Sequence, residues 1–207
     1  MDYKTANYIE REGNRWIVGG TLDRSGAPVL PVATLQAALI QHYQVAPDAV
    51  SATAVHAAVA LADGEATVVT TEITSPDVPR IVTIKGNAAG IVGDVVISGT
   101  NILDAQITET IALNGSTEVL GTKAFKTVTQ IDLPARTQVA DTVSVGIGKK
   151  FGIPHIVYNA ACLLLKLFNG ATDSGTLAVD VDEIEKNLFA LNGSPDGAKL
   201  LDLYYLA

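Results

Sequence analysis

EATVVTTEI (65–73), SPDVP (75–79), RIVTIKG (80–86), NAAG (87–90), GDVVISG (93–99), TNILD (100–104), AQITETIAL (105–113), NGS (114–116), TEVLGTKAF (117–125), KTVTQIDL (126–133), PART (134–137) and DTVSVGIG (141–148) follow one another with little between them. β-branched residues fall at almost every second position, and Gly, Asn, Asp or Pro stands at nearly every break. Alternation of this kind places one row of side chains in a core and the other in solvent, so the run predicts antiparallel sheet. It contains no catalytic constellation. A chain that spends its length on strands and turns is expected to act as a surface and not as a catalyst.

Downstream of Gly148 the strand texture continues in HIVYN (155–159), LLLKLF (163–168), GTLAVDVD (175–182), NLFAL (187–191) and KLLDLYYLA (199–207). Asn169-Gly170 and Asn192-Gly193 supply turn residues that tolerate positive φ. Asp182–Lys186 has room for a single helical turn. The last run, Leu200–Leu206, reads as an edge strand that ties down the C-terminus.

Upstream, SATAVHAAVALADGEATVVTTEI (51–73) reads as two strands around an ADGEA turn. The Ala-rich first half also suits a helix, because Ala is the best helix former, but the Asp63-Gly64 break and the ladder that follows favour strand. ATLQAALIQHYQ (33–44) predicts the one short helix. Leu35, Ala38, Leu39, His42 and Tyr43 recur at helical spacing, Thr34 is placed to cap the first turn, and Pro47 ends it. Residues 1–32 are irregular and hold Tyr3, Tyr8 and Trp16. Aromatics on so short a segment are expected to dock, either on the same chain or on a neighbouring subunit. The expected organisation is an arm and short helix over 1–49, then a β-sandwich of immunoglobulin-like or jelly-roll-like form over 50–207.

Of the 207 residues, 48% are hydrophobic, 17% charged and 5% aromatic. That supports a core of Val, Ile, Leu, Ala and Thr methyls, and a surface partly covered by other subunits. A net charge of −8 opposes a nucleic-acid backbone and an anionic membrane surface alike. The apolar runs Ala57–Ala62 and Ala160–Leu165 are too short to cross a bilayer. The polar opening MDYKTANYIERE has no secretory core, so synthesis in the cytoplasm is expected.

Each candidate for chemistry reads more simply as structure. Cys162 is single and sits in an apolar run, as a small buried hydrophobe would. Gly146-Ile147-Gly148-Lys149-Lys150-Phe151-Gly152 has neither the dinucleotide nor the Walker spacing, and Pro154 opposes the helix that either needs. It reads as a glycine-rich strand exit. His42, His56 and His155 lack metal-ligand spacing, and no G-x-S-x-G is present. Asp180, Asp182, Glu183 and Glu185 form an acidic edge, with a calcium site as the sharper alternative. No cofactor is expected.

TTEITSPDVPRIVTI (70–84), DAQITETIALNGSTEVLGTKAFKTVTQIDLPA (104–135) and DTVSVGIGKKFGIP (141–154) resemble β-rich virion proteins of tailed bacteriophages, of the capsid-decoration or head-fibre kind. The closing NGATDSG (169–175) and NLFALNGSPDGAKLLDLYYLA (187–207) are similar in style. The resemblance spans roughly 65–207. It implies a structural virion protein on the head surface, partnered by the major capsid protein and by copies of itself, commonly as trimers. The expected assembly interface comprises Tyr3, Tyr8, Trp16, Ile17 and Val18 from the arm, and Leu203, Tyr204 and Tyr205 from the last strand, pairing by strand addition. A tail or baseplate component, or a sugar-binding adhesin module, is the alternative.

Overall fold

The computed structural model describes residues 39–207 together with two short strands, 8–9 and 16–17. β1 (Tyr8–Ile9) and β2 (Trp16–Ile17) form an antiparallel pair with Tyr8 opposite Ile17. They belong to a unit of their own, Met1–Ala37.

The second unit, Ala38–Ala207, is mainly β and antiparallel. Its strands are β3 (Ile40–Val45), β4 (Ser51–Ala60), β5 (Thr67–Val69), β6 (Arg80–Gly86), β7 (Asp94–Thr100), β8 (Gln106–Ala112), β9 (Val119–Phe125), β10 (Thr127–Leu133), β11 (Thr142–Gly152), β12 (Leu163–Phe168), β13 (Ala171–Thr172), β14 (Thr176–Ala178), β15 (Leu188–Ala190) and β16 (Leu201–Leu206). They make three sheets. The first runs β5-β10-β7-β8. The second runs β14-β15-β11-β6-β9, with β4 also on β11. The third runs β13-β12-β16-β3.

The first two sheets make a β-sandwich. Period-two alternation sends Ile107 and Ile111 of β8, Val95 and Ile97 of β7, and Val128, Ile131 and Leu133 of β10 inward. There they meet Val82 and Ile84 of β6 and Val143, Val145 and Ile147 of β11. The sandwich is thus built from small branched side chains, as the scarcity of aromatics requires. A second core lies between the third sheet and the β14–β15 end of the second. Here the larger residues gather: Phe151, Phe189 and Tyr205, with Leu201 and Leu203.

At one seam the sandwich is closed by a carboxylate. Glu109 points inward from β8, and its Oε1 accepts from Thr122 N at 2.5 Å and from Thr122 Oγ1 at 2.8 Å on β9. Gly121 keeps this approach open, since a Cβ there would stand 2.7 Å from Glu109 Oε2.

β11 is the axis of the second sheet. Ile147 pairs with Val82 and Phe151 pairs with Arg80, so three residues of β11 face one of β6. Gly148, Lys149 and Lys150 therefore bulge off the ladder, and Lys150 pairs with Ala190 of β15 instead. The glycines of GIGKKFG serve this geometry: the strand does not exit at Gly148 but changes partners there. Arg80, fully buried, fills the bulge, its Nε donating to the Gly148 carbonyl at 2.7 Å.

Three expectations are corrected. The segment expected as a helix is the strand β3 over Ile40–Val45, with Tyr43 and Val45 packed on the second core. Thr34, Leu35 and Ala38 lie outside the described residues. All six β3 residues pair with β16, and that distant ladder outweighs the local helical spacing. The sheet body thus includes residues before position 50. Second, β16 is not an edge: it lies between β12 and β3. Third, HIVYN makes no strand and leads into a 3-10 turn, Ala160–Cys162, capped by Asn159 Oδ1. Ile184–Lys186 is the single helical turn expected there.

Candidate functional site

The third sheet presents the surface best suited to contact. Along β16, Leu201, Leu203 and Tyr205 point into the core, so Asp202, Tyr204 and Leu206 point outward. β3 and β12 continue these rows. Ile40 stands opposite Leu206, His42 and Leu165 flank Tyr204, and Gln44 and Leu167 flank Asp202. Ile40 is 65% exposed and Leu165 41%. An apolar outer row, Ile40 with Leu206 and Leu165 with Tyr204, is unusual on a sheet face that has its own core beneath.

A polar cluster fixes one end of this face. The His42 ring stacks on Tyr204 with centroids 4.3 Å apart and planes 7° from parallel. His42 Nε2 lies 3.0 Å from Asp202 Oδ1, and Gln44 Nε2 donates to the same oxygen at 2.5 Å. Four side chains are thereby held in one orientation across two strands, which presents Tyr204 as a rigid platform. β3 is an edge strand that pairs only with β16 among the described residues. Among the described residues no strand pairs with its outer backbone groups, the kind of edge to which a further strand adds.

The expected interface residues divide. Tyr3 and Val18 lie outside the described residues. Tyr8, Trp16 and Ile17 are paired in the β1–β2 ladder. Leu203 and Tyr205 are fully buried in their own core, so neither is free to meet a partner. Tyr205 instead hydrogen-bonds inside the chain, with His155 Nδ1 2.8 Å from its hydroxyl. Tyr204 alone of the three faces outward. His42, Ile40 and Leu165, which the sequence reading did not assign to the interface, join it there. The missed signal is the alternation in IQHYQV, which competes with a helical spacing through the same residues.

The acidic edge is a set of internal ties. Glu183 and Glu185 both meet Lys123 of β9, at 2.9 and 3.3 Å. Glu185 is buried and accepts from Asn101 Nδ2 at 3.1 Å. Asp180 Oδ1 accepts from the backbone N–H of Asp182 and of Glu183, both at 2.9 Å, which holds its carboxyl below the usual range. Glu183 and Glu185 thus share one ammonium, and Asp180 is engaged by backbone N–H groups. Among the described residues no cluster of three or more His, Cys, Asp or Glu is arranged to hold a metal ion, and no helix is long and apolar enough to cross a membrane.

No protein-family model, curated protein or solved structure matches this chain.

Proposed function

We propose that this protein works by association, as a structural component of a larger assembly. By the resemblance of residues 65–207, that assembly is the head of a tailed bacteriophage, with the chain as an auxiliary or decoration protein. The observation that carries the proposal is the outer face of the third sheet. It offers an apolar row, a fixed Tyr204 platform and a β3 edge that is unpaired among the described residues. These are the elements of a self-associating or shell-binding patch: a rigid aromatic anchor, flanking aliphatic side chains and backbone available for strand addition. Copies of the chain and the major capsid protein are the proposed partners, and a closed trimer is the proposed oligomer.

The test combines mass and sedimentation. Purified protein is sized by light scattering and then mixed with expanded empty capsids and pelleted. The expected result is an oligomer that cosediments in many copies per particle. The variant Leu165→Lys, exposed and therefore compatible with folding, should lose both properties. A wild-type chain that stays monomeric and in the supernatant refutes the reading. A handful of copies per particle places the protein on the tail instead.

A further inference from the structure

On the outer side of the second sheet, above the β11 bulge, lies a cleft of about 350 Å³. Its floor is Ile81 and Thr83 of β6. Leu120 of β9 and Leu191 stand at its sides, Val50 leads in from the start of β4, and Lys149 and Lys150 of the bulge complete it. Gly146 and Gly148 lie against its floor: a Cβ on Gly146 would meet Ser51 and Ala52 of β4, and one on Gly148 would stand 2.8 Å from Ile81 Cδ1.

One atom in this apolar wall is out of place. Thr83 is 1% exposed, and its Oγ1 has no hydrogen-bond partner among the described residues. A buried hydroxyl left alone forfeits its bond to water without replacement, so a side chain of the same shape without the oxygen would serve packing better. Thr129, by contrast, finds a carbonyl for its hydroxyl in Ser98. The Thr83 hydroxyl is therefore read as a contact for a guest. The lysines give the guest's charge. Lys149, whose Nζ donates to the Asn192 carbonyl at 3.1 Å, and half-buried Lys150 both line the cleft, against the single carboxylate of Glu118. The rim thus has a net positive sign in a protein that is acidic overall.

We propose that this cleft binds a medium-chain aliphatic carboxylate. Its hydrocarbon chain lies along Ile81, Leu120 and Leu191. Its head accepts a hydrogen bond from Thr83 Oγ1 and sits in the field of Lys149 and Lys150. The volume supports the size: it equals roughly a dozen water shares, room for a chain of about ten carbons. It stands at the small end of ligand sites, which run from about 300 Å³ upward, and such sites combine apolar walls with few polar groups, as here. The proposal does not depend on the association surface, which lies on a different sheet.

The test is a calorimetric titration of the full chain with octanoate, below its micelle concentration, with 1-octanol as the neutral control. Saturable binding of one octanoate per chain is expected, tighter than 1-octanol. Leu120→Trp, a rim change that leaves the core intact, should abolish it. Thr83→Val should weaken it about tenfold, the worth of one hydrogen bond to a charged group, with the melting temperature unchanged or raised. Lys150→Met should weaken octanoate and leave 1-octanol unaffected. Absence of saturation overturns the site, as does octanoate affinity that survives Leu120→Trp. Equal affinity for 1-octanol overturns the anionic assignment. If octanoate does not bind and Leu120→Trp lowers the oligomeric mass, the cleft takes a side chain of a second copy and the proposal falls.

Discussion

The guanidinium of Arg80 and the carboxylate of Asp77 meet at 2.9 Å beneath the β11 bulge, the Arg80 side chain fully buried and that of Asp77 19% exposed. Arg80 also donates from Nη1 to the Asp48 carbonyl at 3.0 Å and lies 4.7 Å above the centre of the Phe151 ring. Asp77 in turn accepts from Asp48 N at 2.7 Å through its other oxygen. Burial draws the arginine below its ordinary range, and Asp77 works against that shift.

Removing Asp77 leaves a buried cation without its counter-charge. Asp77→Ala is expected to cost about 3–5 kcal/mol, the usual penalty for breaking one side of a buried pair. Arg80→Met, which removes the charge but keeps much of the apolar stem, should cost less. Urea unfolding of the two variants measures the difference. A milder effect in Asp77→Ala than in Arg80→Met would mean that packing on Phe151, and not charge compensation, holds the bulge.

Two buried tyrosines separate the worth of a hydroxyl that is bonded from one that is not. Tyr205 shares a hydrogen bond with His155, whereas the buried Tyr43 hydroxyl has no partner among the described residues. Burial, and then the Asp77 charge, pushes the Tyr43 phenol up to about 12; burial and Tyr43 likewise push Tyr205 upward. Tyr205→Phe should lose about 1 kcal/mol, while Tyr43→Phe should be neutral or stabilising. Thermal melts suffice, and a destabilised Tyr43→Phe would show that its hydroxyl has a partner in solution.

How much of this was readable from the chain depends on how local the cause is. The strands between Arg80 and Gly152 were legible because alternation is written residue by residue and each break carries its own turn chemistry. Asn169-Gly170 is a clear case, with φ of 51° and 77°. The similar Asn192-Gly193 works otherwise: Gly193 has no positive φ and is glycine because the Phe168 ring lies against it. β3 carries a helical spacing in its own residues, and the partner that makes it a strand, β16, lies some 160 positions away, as the His42–Asp202 contact shows. The outward face of the third sheet was hidden for the same reason, since one misassigned strand conceals which of Tyr204 and Tyr205 points to solvent. The bulge was seen as glycines, but its cause, Arg80 taking the Gly148 carbonyl, needs the fold.

That bulge predicts the effect of a single methyl. Gly146 of β11 pairs with Thr83 of β6, while the neighbouring β4, whose pairing with β11 shifts register here, brings Ser51 and Ala52 backbone against it. Gly146→Ala places a Cβ against backbone, which cannot rotate aside. A loss of about 1–3 kcal/mol or more is expected, the range for overpacking. Gly170→Ala, where the Cβ meets open space but φ is positive, should cost about 1 kcal/mol from strain alone. If chemical denaturation ranks Gly170→Ala as the worse of the two, the close approach of β4 to β11 is wrong.

The acid limb of stability follows from carboxylates held by backbone N–H groups. Asp141 Oδ2 accepts from Gln138 N at 2.7 Å, from the Thr137 hydroxyl at 2.9 Å and from Thr137 N at 3.0 Å. Gln138 is the largest cause of its lowered pKa. Asp196, bonded first by the Lys199 ammonium and then by two backbone N–H groups, falls to about 2. Asp180 is lowered by the same kind of contact. In each case the folded pKa lies below the ordinary 3.8. The unfolded chain therefore takes up protons first, and the stabilisation is complete above about pH 4 and drains away as pH falls toward 2. The urea midpoint should be level through the weakly acid range and then drop steeply. Asp141→Asn should start lower at neutral pH, because a neutral amide accepts these bonds more weakly, and should show a shallower drop below pH 4. An acid slope in Asp141→Asn as steep as that of the parent would remove Asp141 as a source of this dependence.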